Sequence, residues 1–217
     1  MPTQRFQRFL PLAGIVFSLL FAAVTVLTKN EPSESATTAK AFAYWHGHQT
    51  VENVSAFLLI PLAAFFLLLF GAGLRAALRS GEAGEASYSA VAYAGAIFAA
   101  AGFAVIAMLD GATANSAHEG AQSAVYTLNQ LNSFSWVTWT AGFAAMLIAA
   151  GLGGLRTHAL PRVLSWVAIP IGIAFVTPAG EIAFFALPFW VLATSIALHL
   201  RGRDVPAMQA RLVEQAA

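Results

Sequence analysis

The chain has 217 residues, of which 59% are hydrophobic and only 10% charged, far below the roughly 25% charge of soluble domains. Its formal net charge is +1 and it has no cysteine, which excludes disulfides, thiolate metal sites, cysteine nucleophiles and a lipidated cysteine anchor. Its basic residues are scattered over short segments with no stripe, so nucleic acid is not an expected partner and membrane lipid is.

In chain order, Arg5 and Arg8 precede an apolar run over 9–28. The run exceeds the 7–15 residues of a secretory signal, and no small-x-small site follows closely, so it reads as an uncleaved first span. Residues 33–50 begin with Ser33 and Ser35, good helix caps. They continue through Phe42, Tyr44 and Trp45 as a short amphipathic helix expected at headgroup level, where Tyr and Trp are favoured. About 20 apolar residues cross a hydrocarbon core of about 30 Å. On that measure the second span covers 54–74 with a kink at Pro61, the third 89–109 and the fourth 133–154. Ser116-Ala117-His118-Glu119 has the form of a capping box and predicts a helix start leading into span four. The last apolar stretch is too long for one crossing and breaks at Thr177-Pro178-Ala179-Gly180. It splits into a short fifth span (163–177) and a sixth (181–200), followed by a weakly amphipathic cytoplasmic tail over 202–217.

The charges alternate along this layout. Arg5, Arg8, Arg75, Arg79, Arg156, Arg162, Arg201, Arg203 and Arg211 fall at one set of span ends. Glu31, Glu34, Glu52, Asp110, Glu119 and Glu181 fall at the other, with Lys29 and Lys40. Arginine and lysine are retained on the cytoplasmic side, so the pattern predicts an all-α, six-helix polytopic bundle forming a single transmembrane domain with both termini in the cytoplasm.

Small residues crowd spans three and four, in Ala94-Gly95-Ala96, Ala99-Ala100-Ala101-Gly102 and Gly151 to Gly154. Such faces allow close helix approach in lipid, either within the chain or against a membrane-protein partner or second copy; the intramolecular use is the expected one. Pro61, Pro170 and Pro188 fall inside spans, where each removes a backbone hydrogen bond.

Leu12-Ala13-Gly14, Tyr44-Trp45-His46-Gly47-His48-Gln49, Leu74-Arg75-Ala76-Ala77-Leu78-Arg79, Leu155-Arg156-Thr157-His158-Ala159-Leu160-Pro161-Arg162 and Leu187-Pro188-Phe189-Trp190 together carry a resemblance. The chain resembles a group of uncharacterised integral membrane proteins of high-GC Gram-positive, actinobacterial type. The resemblance implies a six-span fold in a bacterial cell membrane and brings no activity with it.

The residues that can carry chemistry gather on the outer side. His46, His48, Glu52, Asp110 and His118 form a candidate site for a divalent or redox metal, since His and carboxylate are the only strong ligands left without cysteine. The bland alternative is that these are solvated interfacial side chains. Glu52, Asp110 and Glu181 would form an acidic vestibule if they converge, and Glu181, just after the short fifth span, reads as an ionisable group at the membrane edge. Three functions stay open: a non-enzymatic lipid- or small-molecule-binding unit or assembly subunit, an outward-facing metalloprotein, and a cation transporter or channel. The first is the expected one.

Overall fold

The computed structural model describes residues 9–82, 84 and 87–215, with side chains described as far as Arg201. Arg5 and Arg8 and the side chains of the 202–217 tail lie outside the described residues. Helix α1 (Leu10–Leu27) opens with a 3-10 turn around Pro11. Helix α2 (Thr38–Gly47) follows a loop, and only His48 separates it from α3 (Gln49–Arg79). Then come α4 (Tyr88–His118), α5 (Gln122–Ser133), α6 (Val137–Thr157), α7 (Arg162–Ala174) and α8 (Gly180–Gln215). The chain is an all-α bundle; α1, α3, α4, α6 (continuing from α5) and α8 are long and apolar enough to cross a membrane.

Six of these helices close a ring in which α1 packs on α3, α3 on α4, α4 on α6, α6 on α7, α7 on α8, and α8 back on α1. Alternation of direction collects the arginines at one end, where Arg75 lies over the Tyr93 ring and Arg156 over Tyr88, each at 5.2 Å. Arg201 donates to the His158 carbonyl at 2.6 Å, and His158 ends α6 in the left-handed conformation at φ 55°. The Glu82 carboxylate accepts from the Ser89 amide at 2.8 Å and its hydroxyl at 2.7 Å, capping the start of α4. Glu31, Glu52, Asp110, Glu119 and Glu181 mark the opposite, acid end.

The sixth ring member, α7, has 13 residues and is about 20 Å long at 1.5 Å per residue, so it is shorter than the expected fifth span. Phe175, just past its end, stacks on Phe143 at 5.5 Å and meets Trp139 edge-on at 5.9 Å. The short helix therefore still reaches the first turns of α6.

Between helices apolar enough to cross a membrane, close packing and not burial from water would hold such a ring together. The α4–α6 contact is the tightest expression of this. A Cβ on Gly142 would lie 2.4 Å from the Ala99 nitrogen, and one on Gly95 would lie 2.5 Å from the Met146 nitrogen. The small-residue faces of spans three and four are thus used within the chain. Phe17, Phe70, Phe143, Leu67, Leu74, Met146 and Leu147, all fully buried, fill the middle of the ring.

Three local expectations are corrected. The N-cap of α2 is Thr37, whose hydroxyl accepts from the Lys40 amide at 3.3 Å; Ser33 and Ser35 hydrogen-bond to each other at 3.0 Å. Trp45 does not face a headgroup layer: it is 0% exposed and packs with Ala114, Ala117 and Val125 in a small second core. The Ser116–Glu119 motif ends a helix and does not begin one. Helix α4 runs unbroken for 31 residues, and Gly120 stops it at φ +77°. The Ala121 amide bonds the Ser116 carbonyl at 2.9 Å, the bond expected of a glycine-terminated helix end.

Candidate functional site

Three consequences of the sequence build a site at the acid end. First, Pro61 cannot donate to the Phe57 carbonyl, and the helix answers with a π-helical turn over Ser55–Leu59, where the Ile60 amide bonds the Ser55 carbonyl. Such turns recur at functional sites; here it lies between Glu52 and the apolar remainder of α3. Second, α4 is about 46 Å long at 1.5 Å per residue, longer than the about 30 Å of a hydrocarbon core, and it carries Asp110 inside a helix instead of at its end. Third, α2 and α5 fold over this end of α4 as a cap. The Trp45 indole donates to Asn129 Oδ1 at 2.9 Å, with both side chains buried, and Asn129 reaches on to the Ser33 carbonyl at 3.4 Å.

Beneath the cap, carboxyl groups from three elements approach one another. Glu52 is 0% exposed and Asp110 2%. Glu52 Oε1 accepts the Tyr44 hydroxyl at 2.7 Å, whereas its Oε2 is buried with no hydrogen-bond partner. Asp110 Oδ1 accepts from the Asn132 amide at 2.8 Å. Glu31 sits partly buried in the loop after α1. Burial first, then the nearby Asp110 and Glu52 carboxylates, push its carboxyl up to about 9, and the Thr28 hydroxyl offsets this in part. Tyr44 is held well above the ordinary phenol range by burial and by its bond to Glu52, so it stays a neutral donor.

Glu31 and Asp110 of this cluster open onto a cavity of about 280 Å³. Glu31, Lys29, Asp110 and Asn132 line its polar side. Phe21, Phe103, Trp139, Phe184, Ile60 and Ala63 line the apolar side. Trp139 is 7% exposed, and its indole N–H has no partner. Below the cavity, the buried aromatic side chains of the ring fill the way to the arginine end.

The expected vestibule is therefore realised in part. Glu52 and Asp110 come together, but Glu181 stands apart, exposed in a neighbouring hollow of about 740 Å³ between α6 and the turn into α8. Trp139 and Phe184 form the wall between the two spaces. Glu31 takes the place in the cluster that Glu181 was expected to hold.

The expected metal set does not assemble, because its histidines tie the cap together above the acids. His46 donates from Nδ1 to the Ala117 carbonyl at 3.1 Å. His48 donates to the Tyr44 carbonyl at 2.9 Å and stacks on the Tyr44 ring at 4.3 Å. His118 pairs with Gln49 Oε1 at 3.3 Å. Among the described residues, no three His or acid side chains are placed to hold a metal ion.

Glu31, Tyr44 and Asn132 are the site residues that sequence reasoning missed. The signal for Glu31 was its place just past the end of span one. Tyr44 and Asn132 gave no local signal, since each acts through a carboxylate on another helix.

Chemically, the site offers carboxyls that can take a proton or a positive charge, an indole donor, and an aromatic-walled space for an apolar group. No family model matches the chain, and comparison with curated proteins and with solved structures gives no match either.

Proposed function

We propose that this is a non-enzymatic, multi-pass binding protein of a bacterial cell membrane that holds a small amphiphilic molecule in the acid-end cavity. In this reading the arginine end faces the cytoplasm, as retention of positive charge on that side requires, and the cavity faces outward beneath the α2–α5 cap. The observation that carries it is the cavity itself: about 280 Å³, with aromatic walls from α1, α4, α6 and α8 and acids along one side. Ligand sites are concave and mostly apolar, with a few convergent polar groups, and this space has that composition. The packed aromatic core below it favours holding a molecule over conducting one.

The test is native mass spectrometry of the protein gently extracted from its own membrane. A non-covalent small-molecule adduct that denaturation releases supports the reading. A bare chain from every extraction overturns it.

A further inference from the structure

A buried carboxylate oxygen without a partner is costly, and Glu52 Oε2 is such an atom beside two further carboxyls. A proton, a cation or a hydrogen-bond donor offsets that arrangement. A bare metal ion is a poor fit, since only two carboxyls line the cavity and, among the described residues, no three His or acid side chains are placed to hold one. The aromatic wall next to the acids is a good fit for a different kind of cation. Rings of Phe, Tyr and Trp attract ammonium groups through their negative faces, and Phe21, Phe103 and Trp139 offer an apolar body its contact.

We propose that the ligand is a small amphiphile with an ammonium head, which settles against Glu31 and Asp110, the two carboxyls that line the cavity, while its apolar body lies against the aromatic wall. The inference rests on the cavity reading above and names its ligand class. No covalent bond changes: the ammonium keeps its protons, one carboxyl becomes a carboxylate, and the released proton leaves to water. The groups facing Glu31 are Asp110 of α4 and Glu52 of α3; Tyr44 and His48 face Glu52, and Lys29 lines the same cavity. Lys29 is exposed, so solvent screens its competition for the acids.

The probes are 2-phenylethylamine and its neutral counterpart 2-phenylethanol, titrated calorimetrically into the full chain in lipid nanodiscs. Two buffers of different ionisation enthalpy report the protons exchanged. The amine is expected to bind about tenfold or more tighter than the alcohol, in line with a hydrogen bond to a buried charge, and to release about one proton per molecule. Below about 9, where Glu31 is protonated, the amine's affinity rises by up to about tenfold per pH unit as the displaced proton becomes easier to lose. An alkyl ammonium stays charged over that range, its ordinary value being about 10.4. Glu31→Gln, in a partly exposed loop, should erase most of the preference for the amine and the pH slope. Equal binding of both probes overturns the ammonium head and leaves the cavity reading standing. Amine binding without proton release overturns the exchange, and binding of neither probe overturns both.

Discussion

Tyr44 donates its hydroxyl to Glu52 Oε1 at 2.7 Å, and that bond joins the cap to the bundle through a carboxylate that is 0% exposed. Losing one partner of a buried charged group is costlier than the mean worth of a hydrogen bond. Tyr44→Phe should therefore destabilise the protein by about 1.5–3 kcal/mol, read as thermal unfolding in detergent. Glu52→Gln in the same background should recover part of the loss, because it removes the buried charge. No loss in the single variant would show that the bond is not needed to hold the cap.

The cap has its own keystone in Trp45 and Asn129. Trp45→Phe keeps most of the apolar volume but leaves Asn129 Oδ1 without its donor, at a cost of about 1–3 kcal/mol. The effect should be local: faster hydrogen exchange in α2 and α5, with α4 and α6 below the cap unchanged. Uniform loss of protection throughout the bundle would contradict a separately packed cap.

Helix approach at the α4–α6 contact makes a sharper prediction. Gly142→Ala puts a methyl group 2.4 Å from the Ala99 nitrogen, and backbone cannot yield as a flexible side-chain tip can. The two helices must part, with a cost of about 1–3 kcal/mol typical of overpacking. Gly47→Ala meets nothing within 4 Å and should be neutral or slightly stabilising, which makes it the control in the same melting experiment.

Glu31 sets a pH dependence whose sign follows from its raised folded-state value. Between about 4.5, its ordinary value, and about 9, the folded protein holds a proton that the unfolded chain has lost. The stability that Glu31 contributes is full below the lower value and declines as pH rises through this window. Glu31→Gln removes the decline, so its unfolding midpoint relative to wild type should climb between pH 5 and pH 9. Each kcal/mol corresponds to about 2–4 °C in a chain of this size. A constant difference across the range would mean that Glu31 is not held among the other acids.

Much of the architecture was legible because apolar length and arginine position are read directly from the chain, and the glycine and alanine faces of spans three and four announced their close contact. The acid end was not legible to the same degree. Asp110-Gly111 looked like a helix end, yet packing of Ala114 and Ala117 against Trp45 and Val125 carries α4 on to His118. Glu31 joins Glu52 and Asp110 because the ring sets the end of α1 beside α3 and α4, a neighbourhood with no local trace in the sequence. Glu181 stays outside it because Trp139 and Phe184 stand between its hollow and the cavity.

The orientation proposed for the bundle is open to direct labelling, since the chain has no native cysteine. Single cysteines at Ser35 and Ser80, both exposed, should react differently with a membrane-impermeant thiol reagent on intact cells. Ser35→Cys should label at once and Ser80→Cys only after lysis. The reverse pattern would turn the acid end toward the cytoplasm.

Filling the cavity tests its role as a binding site most directly. Ala63 is buried and lines the space, so Ala63→Phe should occupy it while leaving the acids in place. Wild type and variant, extracted side by side and compared by native mass spectrometry, should differ in one respect: wild type carries a small-molecule adduct and the folded variant does not. An adduct of the same mass and occupancy on both proteins would contradict the account, because the bound molecule would then lie somewhere else.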